Sequence, residues 1–415
     1  MLLRPLVLVA ACLPLPLPAL AAHSVWTDVP PPAAAPLNVV RFYNRISGWA
    51  AGAGGTLERF DRGTWQNAPS GTDEDLFGLA VLGSGVAWAV GDHGTILRFD
   101  GSRWIPHAQS KAVTLLPLHA VAFLNPDNGW AVGGDANNPG LGGIILHYNG
   151  SSWVSATTTS DPLYDLALLS SDFVWFCGGN RRIIRFDGNV FTNRISPILD
   201  GRAWRAVEFP FRSIGWFAGE QASLVTYEAS SDGFLNYGAV GTLTTQALND
   251  ISFLAGDFKG YVVGDQGVRV YMENLNATVE ATGGGDLHAV QLINDLEGAA
   301  VGGSGTGRIL MQRVVTGETT LKQVRVWPNP FDPSSGQRVT LDRLPNDVSR
   351  LEVFTLGGER LAALGDGVTY DADTGVARWE GHRRDGRAVA SGTYPYRVGT
   401  KSGLAARGLI LVARR

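Results

Sequence analysis

A five-residue motif that ends in glycine recurs seven times, and its spacing constrains the fold more than any other feature of the chain. The second residue is usually aromatic, as in GWAAG, AWAVG and GYVVG, and the copies occupy residues 48–52, 87–91, 129–133, 174–178, 215–219, 260–264 and 298–302. The closing glycines are 38 to 45 residues apart, which is the length of a four-stranded propeller blade. No apolar period of 3.6 residues accompanies the motif, which excludes a helical solenoid. The repeats predict an all-β, seven-bladed β-propeller over residues 23–315.

Each repeat divides into four predicted strands. An apolar inner strand precedes the motif, the motif forms the second strand, and a third strand such as residues 95–100 (TILRFD) follows it. The fourth strand begins with tryptophan in three repeats, at Trp65, Trp104 and Trp153. The last repeat lacks such a strand, and we expect residues 25–29 (VWTDV) to supply it as the outer strand of the seventh blade. This pairing would join the two ends of the propeller and cover two sheet edges.

The first 22 residues have the features of a cleavable signal peptide. Arg4 precedes an apolar run, and small residues at positions 19–22 offer a cleavage site. The run is too short and too rich in proline to span a membrane. An alternative is that residues 9–12 (VAAC) form a lipobox and that Cys12 carries a lipid. We expect an exported protein, at the surface or outside a Gram-negative-type cell, with no transmembrane segment and with Cys177 buried in a strand.

The repeat is clearest at residues 85–104 (GVAWAVGDHGTILRFDGSRW). On these residues the chain resembles propellers of the photosystem II assembly-factor type and, more loosely, the neuraminidase-repeat or Asp-box group. The likeness spans roughly residues 36–314. It implies the propeller fold and the binding of a partner by the propeller. Residues 61–65 (DRGTW) depart from the spacing of a true Asp-box.

The repeat ends after residue 315, and a linker over residues 316–321 and a second domain over residues 322–415 are expected. The motifs of this domain are Pro328, Asn329, Pro330, Trp379, Gly381, Gly392 and Tyr394. Together they resemble the Ig-like C-terminal domain shared by type IX secretion sorting signals and flagellar hook-capping proteins. The resemblance implies a small β-sandwich that a secretion translocon recognises, so that the propeller is delivered to the cell surface. A plain spacer domain is the alternative.

Alignment of the repeats predicts which residues surround the mouth of the central channel. The second residues of the inner strands are expected to be Asn38, Phe77, His119, Tyr164, Trp204, Asn249 and His288. The next positions and the turns that follow the motif glycines add Asp92, Asp165, Arg205, Glu220 and Asp250. Aromatic rings beside amides and carboxylates suit sugars or peptides. We expect this face to bind a glycan or a protein; for any single residue, packing between blades or plain solvation is the alternative.

No catalytic signature such as GxSxG, a P-loop or HExxH occurs in the chain. We expect a monomeric, non-enzymatic binding or scaffold protein without cofactor or metal. A glycan-cleaving hydrolase or lyase of the neuraminidase type is the alternative, and it would use Tyr164, Glu220 and the arginines at 181, 182 and 205. A plain structural surface protein is a third possibility. The net charge of −4 disfavours nucleic acid as a partner.

Overall fold

The computed structural model describes residues 24–194, 202–237, 241, 244–254, 256–273, 276–294, 297–314, 324–333, 338–344, 347–356, 358–383, 385–400 and 405–413. The expected signal peptide, Cys12 and the linker over residues 316–321 lie outside these ranges. Within them the regular structure consists of β-strands and short 3₁₀ turns. No helix in the described ranges is long and apolar enough to cross a membrane.

The described residues up to Val314 form seven four-stranded antiparallel sheets around a central axis. One strand precedes the first blade: β1 (Ser24–Val29). Blade 1 contains β2 (Leu37–Asn44), β3 (Ser47–Gly52), β4 (Leu57–Asp61) and β5 (Thr64–Ala68); blade 2 contains β6 (Leu76–Gly83), β7 (Val86–Gly91), β8 (Ile96–Phe99) and β9 (Trp104–Pro106). Blade 3 contains β10 (Leu118–Asn125), β11 (Asn128–Gly134), β12 (Gly143–Tyr148) and β13 (Trp153–Thr159); blade 4 contains β14 (Leu163–Ser170), β15 (Phe173–Gly178), β16 (Ile183–Phe186) and β17 (Phe191–Asn193).

The remaining three blades complete the ring. Blade 5 contains β18 (Trp204–Phe211), β19 (Ile214–Gly219), β20 (Leu224–Glu228) and β21 (Gly233–Asn236); blade 6 contains β22 (Leu248–Phe253), β23 (Gly260–Gly264), β24 (Arg269–Glu273) and β25 (Asn276–Ala281). Blade 7 contains β26 (Leu287–Asn294), β27 (Glu297–Gly302) and β28 (Arg308–Val314). The seven-bladed propeller predicted from the repeats is therefore confirmed.

The chain closes the ring by pairing its two ends. Strand β1 runs antiparallel to β28 as the outer strand of blade 7, with Trp26 opposite Gln312. This is the position that the sequence assigned to residues 25–29. The Trp26 ring also meets Tyr261 of blade 6 edge-on, with 5.1 Å between the ring centroids. The closing strand therefore contributes to the interface between two blades as well as to the hydrogen bonds of one sheet.

The motif glycines are required because another backbone segment passes directly against them. A Cβ atom on Gly91 would lie 2.0 Å from the carbonyl oxygen of Asp75, just before the inner strand of the same blade. The corresponding approach is 1.9 Å at Gly133 and 2.0 Å at Gly264. Contacts this short exclude any side chain, so the glycine fixes where the inner strand enters the blade.

The core lies between the blades, where the aromatic residue of each of the first six motifs packs against the following blade. Trp49 of blade 1 meets Trp104 of blade 2, and Trp88 of blade 2 stacks on Phe123 of blade 3 at 5.1 Å. Trp175 of blade 4 continues the series against blade 5. Aromatic pairs add about 0.5–1.5 kcal/mol each beyond the burial of their area, so the repeated motif stabilises the contacts between blades.

The C-terminal region forms one hydrogen-bonded series of eight strands, with β32 and β33 its one parallel pair among the described residues. The order across the series is β29 (Arg325–Trp327), β30 (Val339–Asp342), β34 (Val376–Trp379), β33 (Gly367–Asp371), β32 (Arg360–Leu364), β31 (Val348–Phe354), β35 (Gly392–Thr400) and β36 (Ala405–Val412). These strands surround a separate apolar core in which Trp379 is fully buried.

One arginine connects this region to the point where the propeller closes. Arg45, in the turn between β2 and β3, donates from Nε and Nη2 to the two carboxylate oxygens of Glu297 at 2.5 and 2.7 Å. Its Nη1 donates to the carbonyl oxygen of Leu344 at 2.5 Å. Blade 1, blade 7 and the C-terminal region therefore meet at a single guanidinium group.

Candidate functional site

The seven inner strands enter the propeller from the same face. In each blade the first residue of the inner strand pairs with the closing glycine of the motif, as Leu37 does with Gly52 and Leu163 with Gly178. The second residue therefore lies at the mouth of the channel. A cavity of about 770 Å³ occupies the channel, and its wall contains the second residue of every blade: Asn38, Phe77, His119, Tyr164, Arg205, Asn249 and His288.

In blade 5 the structure corrects the sequence alignment by one residue. Trp204 pairs with Gly219, so it is the first residue of its inner strand, and it is 1% exposed. It packs in the core between blades 4 and 5 and does not reach the channel mouth, contrary to the expectation from sequence. Arg205 is the second residue and lines the cavity.

Blades 2, 3 and 4 make one side of the mouth aromatic. Phe77 and His119 have ring centroids 5.4 Å apart, and His119 meets Tyr164 edge-on at 5.5 Å. We call these three residues the aromatic arc. The His119 ring donates from Nε2 to the carbonyl oxygen of Gly134 at 2.8 Å, and burial lowers its pKa. Burial raises the pKa of the Tyr164 hydroxyl, so both rings are uncharged near neutral pH.

Blades 5 and 6 make the other side polar through Arg205, Glu220, Asn249 and Asp265, which we call the polar arc. Arg205 donates to Asn249 Oδ1 at 2.6 Å, and its guanidinium nitrogens lie 3.7 Å from Glu220 and 3.9 Å from Asp265. Asn249 in turn donates to Asp265 at 2.8 Å. Two carboxylates therefore face one guanidinium group, and the arc has an excess of negative charge.

The two aspartates below the mouth bind backbone groups of the neighbouring blades. Asp250 Oδ1 accepts from the N–H of Ile251, and Oδ2 accepts from the N–H of Val290 in blade 7, both at 2.9 Å. Asp165 Oδ2 accepts from the N–H of Val207 in blade 5 at 2.8 Å. The free edges of inner strands face the channel, and unpaired N–H groups there are costly to bury. Both aspartates, expected at the ligand site, thus join adjacent blades.

Two charged residues deeper in the channel escaped the sequence alignment. Arg41 and Glu208 are the fifth residues of their inner strands, and both line the cavity. Arg41 donates to the carbonyl oxygen of Val40 at 2.9 Å and lies 3.8 Å from Asp250. Within the described part of the chain, the Glu208 carboxyl group accepts no hydrogen bond and forms no ion pair. The sequence does distinguish them, because each is a charged residue at the fifth position of the inner strand, where blades 2, 3 and 4 have alanine.

Burial raises the pKa of three carboxyl groups of the channel, those of Asp165, Glu208 and Asp250. Burial raises the pKa of Glu208 to about 8, against the opposing charge of Arg41. Burial, reinforced by the negative charge of Asp250, raises the pKa of Asp165 to about 7. The charge of the cavity therefore depends on pH within the neutral range.

Asp92 lies in the turn after Gly91 but does not line the cavity. With Glu74 and His93 it forms the one group of metal-ligand type found among the described residues. His93 Nδ1 lies 2.8 Å from Glu74, and the Lys111 ammonium group donates to the same carboxylate at 2.5 Å. The Glu74 carboxylate thus already binds two nitrogen groups of the protein, and we describe this exposed cluster as an ion-pair network.

Three motif residues of the C-terminal region contact one another or the edge of its sheet. Asn329 accepts from the N–H of Leu411 at 2.7 Å and donates to the carbonyl oxygen of Leu409 at 3.3 Å, so it covers the outer edge of β36. The Trp379 ring lies against Tyr394, with 6.0 Å between centroids. At Gly381, where φ is +75°, a Cβ atom would lie 2.8 Å from the ring of Phe331. Of the other motif residues, Pro328 and Pro330 flank Asn329, and Gly392 begins β35.

Several solved structures share the propeller fold. YCF48 bound to a D1 peptide matches with a TM-score of 0.56 at 15% identity over 72% of this chain and 100% of that chain. YCF48 from Cyanidioschyzon merolae matches with a TM-score of 0.56 at 15% identity over 69% of this chain and 98% of that chain. PorZ, an essential surface component of the type IX secretion system of Porphyromonas gingivalis, matches with a TM-score of 0.52 at 15% identity over 94% of this chain and 61% of that chain. No protein-family model and no curated protein matches the sequence. At these identities the likeness establishes the fold alone.

Proposed function

We propose that the protein is a non-enzymatic recognition propeller that binds a polypeptide segment of a partner protein at the channel mouth. The observation that carries the proposal is the division of the mouth into the aromatic arc and the polar arc, around a cavity of about 770 Å³. A peptide presents apolar side chains and hydrogen-bonding groups within a few ångströms of each other, and a wall of this composition binds both.

The comparisons support a peptide more than a glycan. One structure with this fold, YCF48, was solved with a D1 peptide bound. A neuraminidase-type site needs arginines that are free to bind a carboxylate. Arg182 is instead paired with Asp161, and it does not line the cavity. Arg205 is already shared between Asn249 and two carboxylates, so the arrangement favours binding without glycan cleavage.

The proposal is tested with the full chain and a library of capped octapeptides, with a glycan array probed in parallel. We expect peptide binding, and we expect Tyr164→Ala to weaken it at least about 10-fold, because alanine removes an aromatic contact worth about 1–3 kcal/mol. Leu235→Ala is the matched control, since Leu235 is an exposed residue of β21, away from the channel. Binding of glycans without peptides, or release of shortened glycans, would contradict the proposal.

We also propose that the C-terminal region delivers the propeller to the cell surface through a secretion translocon. Support comes from the contact of Trp379 with Tyr394, from the contact of Asn329 with β36, and from the match to PorZ, a surface component of a type IX secretion system, over 94% of this chain. Deletion of residues 322–415 in the source organism is expected to retain the propeller in the periplasm. Unchanged surface delivery of the truncated protein would refute this role.

A further inference from the structure

The wall of the channel cavity carries more acidic than basic side chains. Four of its residues have carboxyl groups, Asp165, Glu208, Glu220 and Asp250, whereas two have guanidinium groups, Arg41 and Arg205. Both guanidinium groups have carboxylate neighbours within 4 Å. An anionic ligand would find no uncommitted cation among these residues, whereas a cationic group would find carboxyl groups that ionise beside it, so the cavity favours a cation.

One carboxyl group in this wall is available to a ligand. Asp165 and Asp250 are occupied by backbone N–H groups, and Glu220 accepts from the N–H of Ala203 at 3.2 Å and lies near Arg205. Glu208 differs from them, because no described residue donates to it. A carboxyl group that lacks a donor inside a cavity gains most from a ligand that brings one.

The aromatic arc borders the same cavity. A cation within about 6 Å of an aromatic ring face is attracted by the quadrupole of the ring. Phe77, His119 and Tyr164 lie at the second position of their strands and Glu208 at the fifth, so a flexible side chain that enters from the mouth passes the rings before it reaches the carboxyl group. Lysine and arginine have both the length and the charge for such a path.

We infer that the channel selects polypeptides that insert a lysine or arginine side chain between the aromatic arc and Glu208. This inference rests on the proposed peptide-binding function and names its specificity. A bare divalent cation fits the site less well, because the carboxylate atoms of the channel do not converge. In the described chain the one group close enough to share an ion is formed by Glu74, Asp92 and His93, outside the cavity.

The test uses the full chain and octapeptides that are acetylated and amidated, so that charge resides only on side chains. Lysine and arginine are expected to be enriched at one position of the selected peptides. Replacing that lysine with norleucine, or that arginine with citrulline, should weaken binding to the wild-type protein about 10- to 100-fold, the range for a hydrogen-bonded ion pair. These peptide substitutions need no change in the protein, so a folding defect cannot mimic them.

The Glu208→Gln variant assigns the effect to one carboxyl group. It should bind the lysine peptide about 10-fold or more weakly and the norleucine peptide nearly as well as the wild type does. Glu228→Gln is the matched control, because Glu228 lies in β20 of the same blade and does not line the cavity. Equal losses for both peptides in Glu208→Gln would indicate a structural role and overturn the inference.

The dependence on pH provides a second readout. Since burial raises the pKa of Glu208 to about 8, binding of a cation has to release the carboxyl proton below that pH. Affinity for the lysine peptide should therefore rise between pH 6 and 9 by up to about 10-fold per unit, and much of the rise should disappear in Glu208→Gln. The charged groups that face Glu208 are Arg41, Asp165 and Asp250; Asp165 accounts for a residual slope near pH 7.

The outcomes separate this inference from the function on which it rests. If peptides bind and Tyr164→Ala weakens them, but neutral or acidic sequences are selected, the cationic specificity is wrong and peptide recognition stands. If no peptide binds, both fail. Only enrichment of lysine or arginine, together with selective loss in Glu208→Gln, supports both.

Discussion

Replacing Arg45 with alanine should destabilise the propeller at the point where the ring closes. The Arg45 side chain is 12% exposed and binds both oxygens of Glu297, which is 29% exposed. It also donates to the carbonyl oxygen of Leu344. The substitution removes three hydrogen bonds from a charged donor and leaves Glu297 with the amide of Asn294 as its remaining donor among the described residues.

The magnitude follows from the geometry. Hydrogen bonds to charged groups contribute about 1.5–3 kcal/mol each when they are buried, but water replaces part of this at the partly exposed Glu297. A total loss of about 2–4 kcal/mol is therefore expected. Unfolding entropy is about 2.1 cal/mol/K per residue, or about 0.6 kcal/mol/K for a propeller of about 290 residues, so the midpoint of thermal unfolding should fall by about 3–7 °C.

Thermal unfolding followed by intrinsic tryptophan fluorescence measures this shift. Arg103→Ala is the control, since its side chain is 76% exposed and lies 3.9 Å from Asp100; exposed pairs of this kind contribute about 0–1 kcal/mol. A double-mutant cycle with Glu297→Ala should show a coupling of at least about 1 kcal/mol. A fall of less than 1 °C for Arg45→Ala, or additive effects in the cycle, would refute the assignment of Arg45 as a contact that joins three parts of the structure.

Three other substitutions test separate features of the fold. Gly91→Ala should lower the free energy of unfolding, measured by chemical denaturation, by more than about 3 kcal/mol, because its Cβ would lie 2.0 Å from a backbone oxygen. Gly85→Ala is the control and should be tolerated, since the nearest atom would lie 3.7 Å from its Cβ. Trp26→Ala should cost about 2–4 kcal/mol and speed proteolysis of β1, because it removes the ring that packs on blade 6; unchanged protease resistance would argue against closure through this strand. Glu208→Gln should reduce the pH dependence of stability. In the wild type, the pKa of Glu208 is raised to about 8, so the folded state keeps a proton that the unfolded state releases above about pH 4.5. The stability of the wild type should therefore fall as pH rises from about 5 to 8. Parallel thermal melts of both proteins across this range would show the difference, and equal slopes would contradict it.

The architecture was predictable from the sequence because its determinants are local and repeated. Each motif glycine meets backbone a short distance away in the chain, and the motif aromatics fill the same interface in successive blades. The strand at residues 25–29 was also predictable, since the last repeat lacked an outer strand and a sheet edge left open is unfavourable. The eight-stranded connectivity of the C-terminal region has no comparable repeat, and the sequence motifs identified its turns and core aromatics without its strand order.

The residues at the channel mouth were harder to predict, because identifying them requires the number of residues between the inner strand and the motif glycine and does not follow from residue type. In blades 1 to 4 the first residue of the inner strand is a leucine 15 positions before the motif glycine, as for Leu76 and Gly91. Blade 5 has Trp204 at that distance from Gly219. The apolar character of Ala203 shifted the alignment by one. Counting back from the glycine would have placed Arg205 at the mouth.

The mouth residues divide according to whether the protein already uses their hydrogen-bonding groups. Asp165, Asp250 and Asn249 bind backbone groups of the next blade, and His288 donates to the carbonyl oxygen of Leu37 in the same way. These contacts satisfy the inner edges of the blades, a requirement that any propeller with a hydrated channel has to meet.

A ligand competes poorly for groups that are already bonded. Recognition therefore falls to the remaining groups, which are the aromatic arc, the carboxyl group of Glu208 and the Arg205–Glu220 part of the polar arc. Loss of specificity should follow changes in that set, whereas changes at Asp165 or Asp250 should first reduce the stability of the ring.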